Sequence, residues 1–189
     1  MSRVRILFAS LVWLACAGAA LADDTRQLKV HPQRGLPAVE RVTVYQTKDG
    51  KRESVSELTK LDTPLTLPAD GPFAVWVKPK NGMAVRVLDK LTVEAGQTHD
   101  LKLGDVLGTI EVFGDNFPRA EKIVITDPRD PGPGEKGHVA VQVASDYRVE
   151  MLVPVGTYAV WVVPANGAKA QRVKDNVRVQ AGRGVRVGE

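Results

Sequence analysis

Catalysis or metal binding needs nucleophiles, titratable groups or ligands that the fold can bring together, and this chain offers few. Its three histidines, His31, His99 and His138, have no ligand-type partner two or four residues away. A metal site needs three or four converging N, S or O donors, so neither metal nor cofactor is expected. Asp127, Asp130 and Glu135 could surround calcium, but their spacing does not match a 12-residue calcium loop. Cys16 is the only cysteine, and it lies in a segment expected to be removed. The mature chain would then hold no thiol nucleophile and no disulfide. A Gly-x-Ser-x-Gly elbow, a His-Glu-x-x-His pair and a phosphate-cradling glycine loop are absent from the sequence. The expectation is a protein that is not an enzyme.

Two tryptophans carry more promise than any titratable group. The string Phe73-Ala74-Val75-Trp76-Val77-Lys78-Pro79-Lys80-Asn81-Gly82 returns as Tyr158-Ala159-Val160-Trp161-Val162-Val163-Pro164-Ala165-Asn166-Gly167. Successive side chains of a strand point to opposite faces. Phe73, Val75 and Val77 then form a core face with Ala74, Trp76 and Lys78 behind it, and Tyr158, Val160 and Val162 repeat the pattern against Ala159, Trp161 and Val163. The candidate binding platform is therefore Trp76, Trp161, Ala74, Ala159 and Lys78, an outward indole flanked by alanine in each copy. Such a surface stacks on sugar rings or packs against protein. Cover by a neighbouring strand, a loop or the other domain is the competing reading. Asp89 and Asp175 also recur, each between apolar positions of one parity. A bulge or turn at Asp89-Lys90 and Asp175-Asn176 is expected there, with the carboxylate bonded to local backbone amides.

The elements that hold these residues read as strands. Val42 and Val44 alternate with Arg41, Thr43 and Tyr45, while Val139, Val141 and Val143 alternate with Ala140, Gln142 and Ala144. Tyr147, Val149, Met151 and Val153 align with Leu61, Thr63, Leu65 and Leu67. Breakers separate the runs, among them Asp49-Gly50 and Asn81-Gly82, and Asn-Gly suits tight hairpins. One helix-tolerant window, residues 52–61, is too short to change the class. The fold expected is all-β, two tandem antiparallel β-sandwich domains of about seven strands each, wound like transthyretin or like an immunoglobulin domain. The expected boundaries are 23–104 and 105–189, with the junction at Gly104 to Gly108. Pro118 aligns with Pro37 early in each copy. Residues 127–137 of the second copy, rich in proline and glycine, read as an exposed loop.

Residues 1–22 read as a signal peptide: Arg3 and Arg5 precede an apolar run over 6–15, and Ala20-Leu21-Ala22 is a small-x-small cleavage site before Asp23. The apolar run falls short of the roughly 20 residues of a membrane span. A lipobox centred on Cys16 competes, but Trp13 stands where such sites usually carry leucine. The chain has 26 Lys and Arg against 22 Asp and Glu. Basic residues are mixed among acids, as in Lys48-Asp49-Gly50-Lys51-Arg52-Glu53, so no nucleic-acid footprint is expected.

The segments from Leu67-Pro68 to Gly96 and from Val153-Pro154 to Gly182 share Phe/Tyr-x-Val-x-Val, Pro-x-Asn-Gly and a closing Leu/Val-x-Val-x-Ala-Gly. In this they resemble the carboxypeptidase regulatory-like domains, relatives of the transthyretin-type sandwich, over about the second half of each copy. The resemblance implies a non-catalytic accessory module and carries over no functional residue, because the shared positions are turn and core residues. The Trp of Val-Trp-Val departs from the pattern. Starch-binding-like sandwiches share the general shape. The expectation is an exported, periplasmic or secreted module that binds an envelope or secreted protein partner or gives structural support. The alternative is a carbohydrate-binding module that takes a glycan on exposed Trp.

Overall fold

The computed structural model describes residues 24–69, 71–113, 120–134, 138–143 and 148–188. The expected signal peptide with Cys16, the acid Glu135, and Pro118, Ala144 and Tyr147 of the strand reading lie outside the described residues, as does the side chain of Val143. The strands are β1 (Arg26–His31), β2 (Val39–Lys48), β3 (Lys51–Leu58), β4 (Pro64–Leu67), β5 (Phe73–Pro79), β6 (Val85–Leu91) and β7 (Thr98–Lys102). After one helical turn, α1 (Leu103–Val106), come β8 (Leu107–Phe113), β9 (Ala120–Thr126), β10 (His138–Val143), β11 (Arg148–Pro154), β12 (Gly156–Pro164), β13 (Gln171–Val179) and β14 (Gly184–Val187).

The chain is all-β and forms two tandem sandwiches. In the first, a four-stranded sheet of order β3-β2-β5-β6 faces a three-stranded sheet of order β4-β1-β7. The second repeats both orders seven strands later, as β10-β9-β12-β13 and β11-β8-β14. This is not the immunoglobulin winding, in which the first strand pairs with the second; here β1 pairs with β4 and β7. Most pairs are antiparallel, but β1 with β7 and β8 with β14 run parallel. The helix-tolerant window is strand over residues 52–58, in β3, and bend and turn over 59–61.

Period-two alternation does what it should in β5, where Phe73, Val75 and Val77 are buried and Ala74, Trp76 and Lys78 are half-buried. The buried set joins Leu28, Val42, Val44, Ile110, Ile125 and Val160 in a core that runs through both sandwiches. The turn expectations divide. Asp49 and Gly50, at φ 51° and 73°, make a two-residue hairpin between β2 and β3, the mirror-image turn that matches strand twist. Asn81-Gly82 does not: five residues, 80–84, connect β5 to β6, and six connect β12 to β13.

The junction between the sandwiches is packed. Leu103 and Leu107 are buried, Val155 N–H donates to Val106 O at 2.9 Å, and Gly182 N–H donates to Leu107 O at 2.8 Å. A Cβ on Gly108 would stand 2.6 Å from the carbonyl oxygens of Gln180 and Arg183, so only glycine fits. On the other side, Met83 N–H donates to Val141 O at 3.2 Å and ties the β5–β6 connection to β10.

Candidate binding face

Both tryptophans lie on the outer face of a four-stranded sheet, as parity requires, yet their surroundings differ. Trp161 is only 7% exposed and forms a second, outer cluster with Val124 and Ala159, against which Val141 and Val163 pack. Its indole N–H donates to the buried Thr126 hydroxyl at 3.0 Å. The Arg172 guanidinium lies 5.1 Å from the ring centre. Arg172 also donates to Pro128 O, which fixes the loop after β9 beside the indole. The platform expected at Ala159 and Trp161 is therefore a sealed cluster. Side chains at these outer positions are apolar, and burying them gains free energy that an exposed patch would forgo.

Trp76 sits in a polar setting. Register pairs it with Thr43 on β2 and Arg86 on β6, where Trp161 meets Val124 and Arg172. Tyr45 replaces Thr126 and meets Trp76 edge to face, ring centres 6.2 Å apart. Among the described residues the buried Trp76 Nε1 has no hydrogen-bond partner. Arg52, from β3, lies 4.7 Å from the Trp76 ring centre and 5.8 Å from that of Tyr45. Lys78 is paired with Glu40 at 2.9 Å and Arg41 with Glu57 at 3.3 Å. Two shallow clefts flank the indole. One of about 200 Å³ lies toward Arg41, Tyr45, Glu57 and Lys78; the other, about 270 Å³, lies toward Arg52, Ala74, Arg86 and Lys90. Trp76, Ala74 and Lys78 thus share one face, while Trp161 and Ala159 belong to the other sandwich and to a sealed cluster on the outer side of its sheet.

Asp89 and Asp175 mark bulges at the expected places. Between Phe73 and Val75 the partner strand advances from Leu91 to Leu88, and between Tyr158 and Val160 it advances from Val177 to Lys174. The partner of the carboxylate is different from the one expected. Arg86 donates to Asp89 at 3.0 Å and Arg172 pairs with Asp175 at 2.7 Å, because an extra residue in the strand brings positions three apart onto one side.

Two other candidates, Asp127 and His31, are held by side-chain bonds. Asp127 accepts from the backbone N–H, Nε and Nη2 of Arg129, each at 2.9 Å; these bonds, the side-chain ones first, hold its carboxyl at about 2. His31 lies between Asp62 and Asp100, 2.7 Å from an oxygen of each. Those two hydrogen bonds, Asp100 first, raise its pKa above the ordinary 6.5. Tyr158 donates to Pro154 O at 2.8 Å, and burial pushes its hydroxyl up to about 12. Among the described residues no group of three His, Cys, Asp or Glu could hold a metal, and no helix is long and apolar enough to cross a membrane.

Arg52 and Tyr45 were missed by sequence reasoning, since nothing local signals that β3 carries an arginine over an indole two strands away. The sealing of Trp161 did leave a trace: residues 158–163 are apolar at both parities, the mark of a strand buried on both faces.

No protein-family model matches the chain, and a search of curated proteins finds no match. Among solved structures, the TIE protein of Bacillus anthracis aligns over 88% of this chain and 33% of its own, at 14% identity and a TM-score of 0.30. A leucine-rich repeat protein from Bacteroides thetaiotaomicron VPI-5482 aligns over 88% and 26%, at 13% identity and a TM-score of 0.25. The chain therefore spans about a third or less of each.

Proposed function

We propose that this is an exported, non-catalytic module, akin to the carboxypeptidase regulatory-like sandwiches, that binds a protein partner in the cell envelope through the first sandwich. The binding face is the outer surface of the β3-β2-β5-β6 sheet, centred on Trp76. The observation that carries this reading is the contrast between equivalent indoles: Trp161 has an acceptor and an apolar cover, whereas Trp76, flanked by two clefts, has an N–H without a partner among the described residues. A buried donor without an acceptor is costly, and a partner that re-packs this face can supply one. The second sandwich gives structural support. A glycan is the weaker reading, because stacking needs an open ring face and Arg52 occupies that of Trp76.

Full-length Trp76→Ala protein, with an unchanged circular dichroism spectrum, is expected to lose capture of partners from an envelope extract. Capture of every partner at the wild-type level would end the reading.

A further inference from the structure

The proposed binding face also indicates what it takes up. Among the described residues the large exposed hydrophobics are Met83 and Val155, on separate connections, so apolar area alone cannot drive docking. Charge can. Five cations line the two clefts, Arg41, Arg52, Lys78, Arg86 and Lys90. Three are neutralised at short range, Arg41 by Glu57, Lys78 by Glu40 and Arg86 by Asp89. Arg52 and Lys90 have no ion pair among the described residues, and both line the 270 Å³ cleft beside Trp76. They come from opposite edges of the sheet, β3 and β6.

Resting on the reading above, we infer that the cleft between Arg52 and Lys90 seats a carboxylate of an acidic protein segment. A guanidinium stacked on an aromatic ring keeps its edge N–H groups free for a two-pronged bond to a carboxylate. The indole fixes the plane of that fork, so little side-chain freedom is lost on binding. The mixed pattern favours a protein over a polyanion: a phosphate backbone or sulfated glycan tracks a continuous basic stripe, and here it would cross Glu57, Glu40 and Asp89. A protein can place one carboxylate between the two free cations and leave the paired ones alone.

The test is a fluorescence titration of the full chain with a hexaglutamate peptide, since a carboxylate that draws on Arg52 perturbs the Trp76 emission. A saturable response is expected that is absent in Trp76→Phe, falls with added salt, and weakens at least about tenfold in the double variant Arg52→Gln, Lys90→Gln. No response to hexaglutamate, an equal response in the double variant, or tighter binding of a heparin oligosaccharide would each overturn the inference. Envelope capture separates its failure from that of the broader reading. If Trp76→Ala abolishes capture while the double variant retains it, the face binds but the carboxylate is wrong. If neither variant lowers capture, both fall.

Discussion

Two indoles at matching positions do different work because single neighbours differ. Thr126 offers Trp161 a hydroxyl at 3.0 Å, and Val124 and Val163 enclose it. At the matching sites around Trp76 stand Tyr45, Thr43 and Lys78. Replacing Trp161 by Ala should cost about 3–5 kcal/mol in urea unfolding, as for other large buried aromatics. Trp76→Ala should cost clearly less. Thr126→Val removes the acceptor and orphans a buried N–H, a loss of about 1–3 kcal/mol; wild-type stability in that variant would show that the bond is not what secures the indole. Face assignment at residue level was legible in the sequence, since parity alone put both rings outside the main core. What covers each ring was not, beyond the apolar run at residues 158–163, because the cover includes the 127–134 segment and β10, both remote in sequence.

Strands, hairpin and bulges follow from local rules, and the junction does not. Asp49-Gly50 gave a two-residue turn because both residues accept positive φ, and the repeated Asp gave bulges as its position between apolar residues suggested. The Asn-Gly sites only anchor longer connections. The junction between the sandwiches, read at Gly104 to Gly108, is a packed splice in which Gly108 lies against two carbonyl oxygens. Gly108→Ala must push the β13–β14 connection away from β8 and should lower stability by about 1–3 kcal/mol, read from the denaturation midpoint. A midpoint within error of wild type would mean that the splice yields without loss.

Across the first sandwich, His31 joins three separated segments: β1, the residues before β4 through Asp62, and β7 through Asp100. Asp62 is held at φ 64° and its N–H donates to Val30 O at 2.8 Å. A neutral imidazole has one N–H, so donating to both carboxylates requires the imidazolium. The folded pKa of His31 is raised, hence its stabilisation is complete below the ordinary 6.5 and disappears as pH climbs through the folded value. The pKa of Asp100 is lowered by the same bond, so its share is lost only in acid, below the ordinary 3.8. The urea midpoint should therefore fall as pH rises from 6 to above that folded value, and His31→Gln should flatten the slope. An unchanged slope in the variant would remove His31 as its source. By itself the sequence determined the all-β class, the tandem arrangement, the core faces and the side on which each indole lies, because alternation and turn chemistry act over a few residues. Only the tertiary structure decided the strand order, the parallel pairing of β1 with β7, the Asp–His–Asp bridge and which indole is sealed among apolar neighbours. Each of these depends on groups from distant segments meeting in space, and local periodicity holds no record of such meetings.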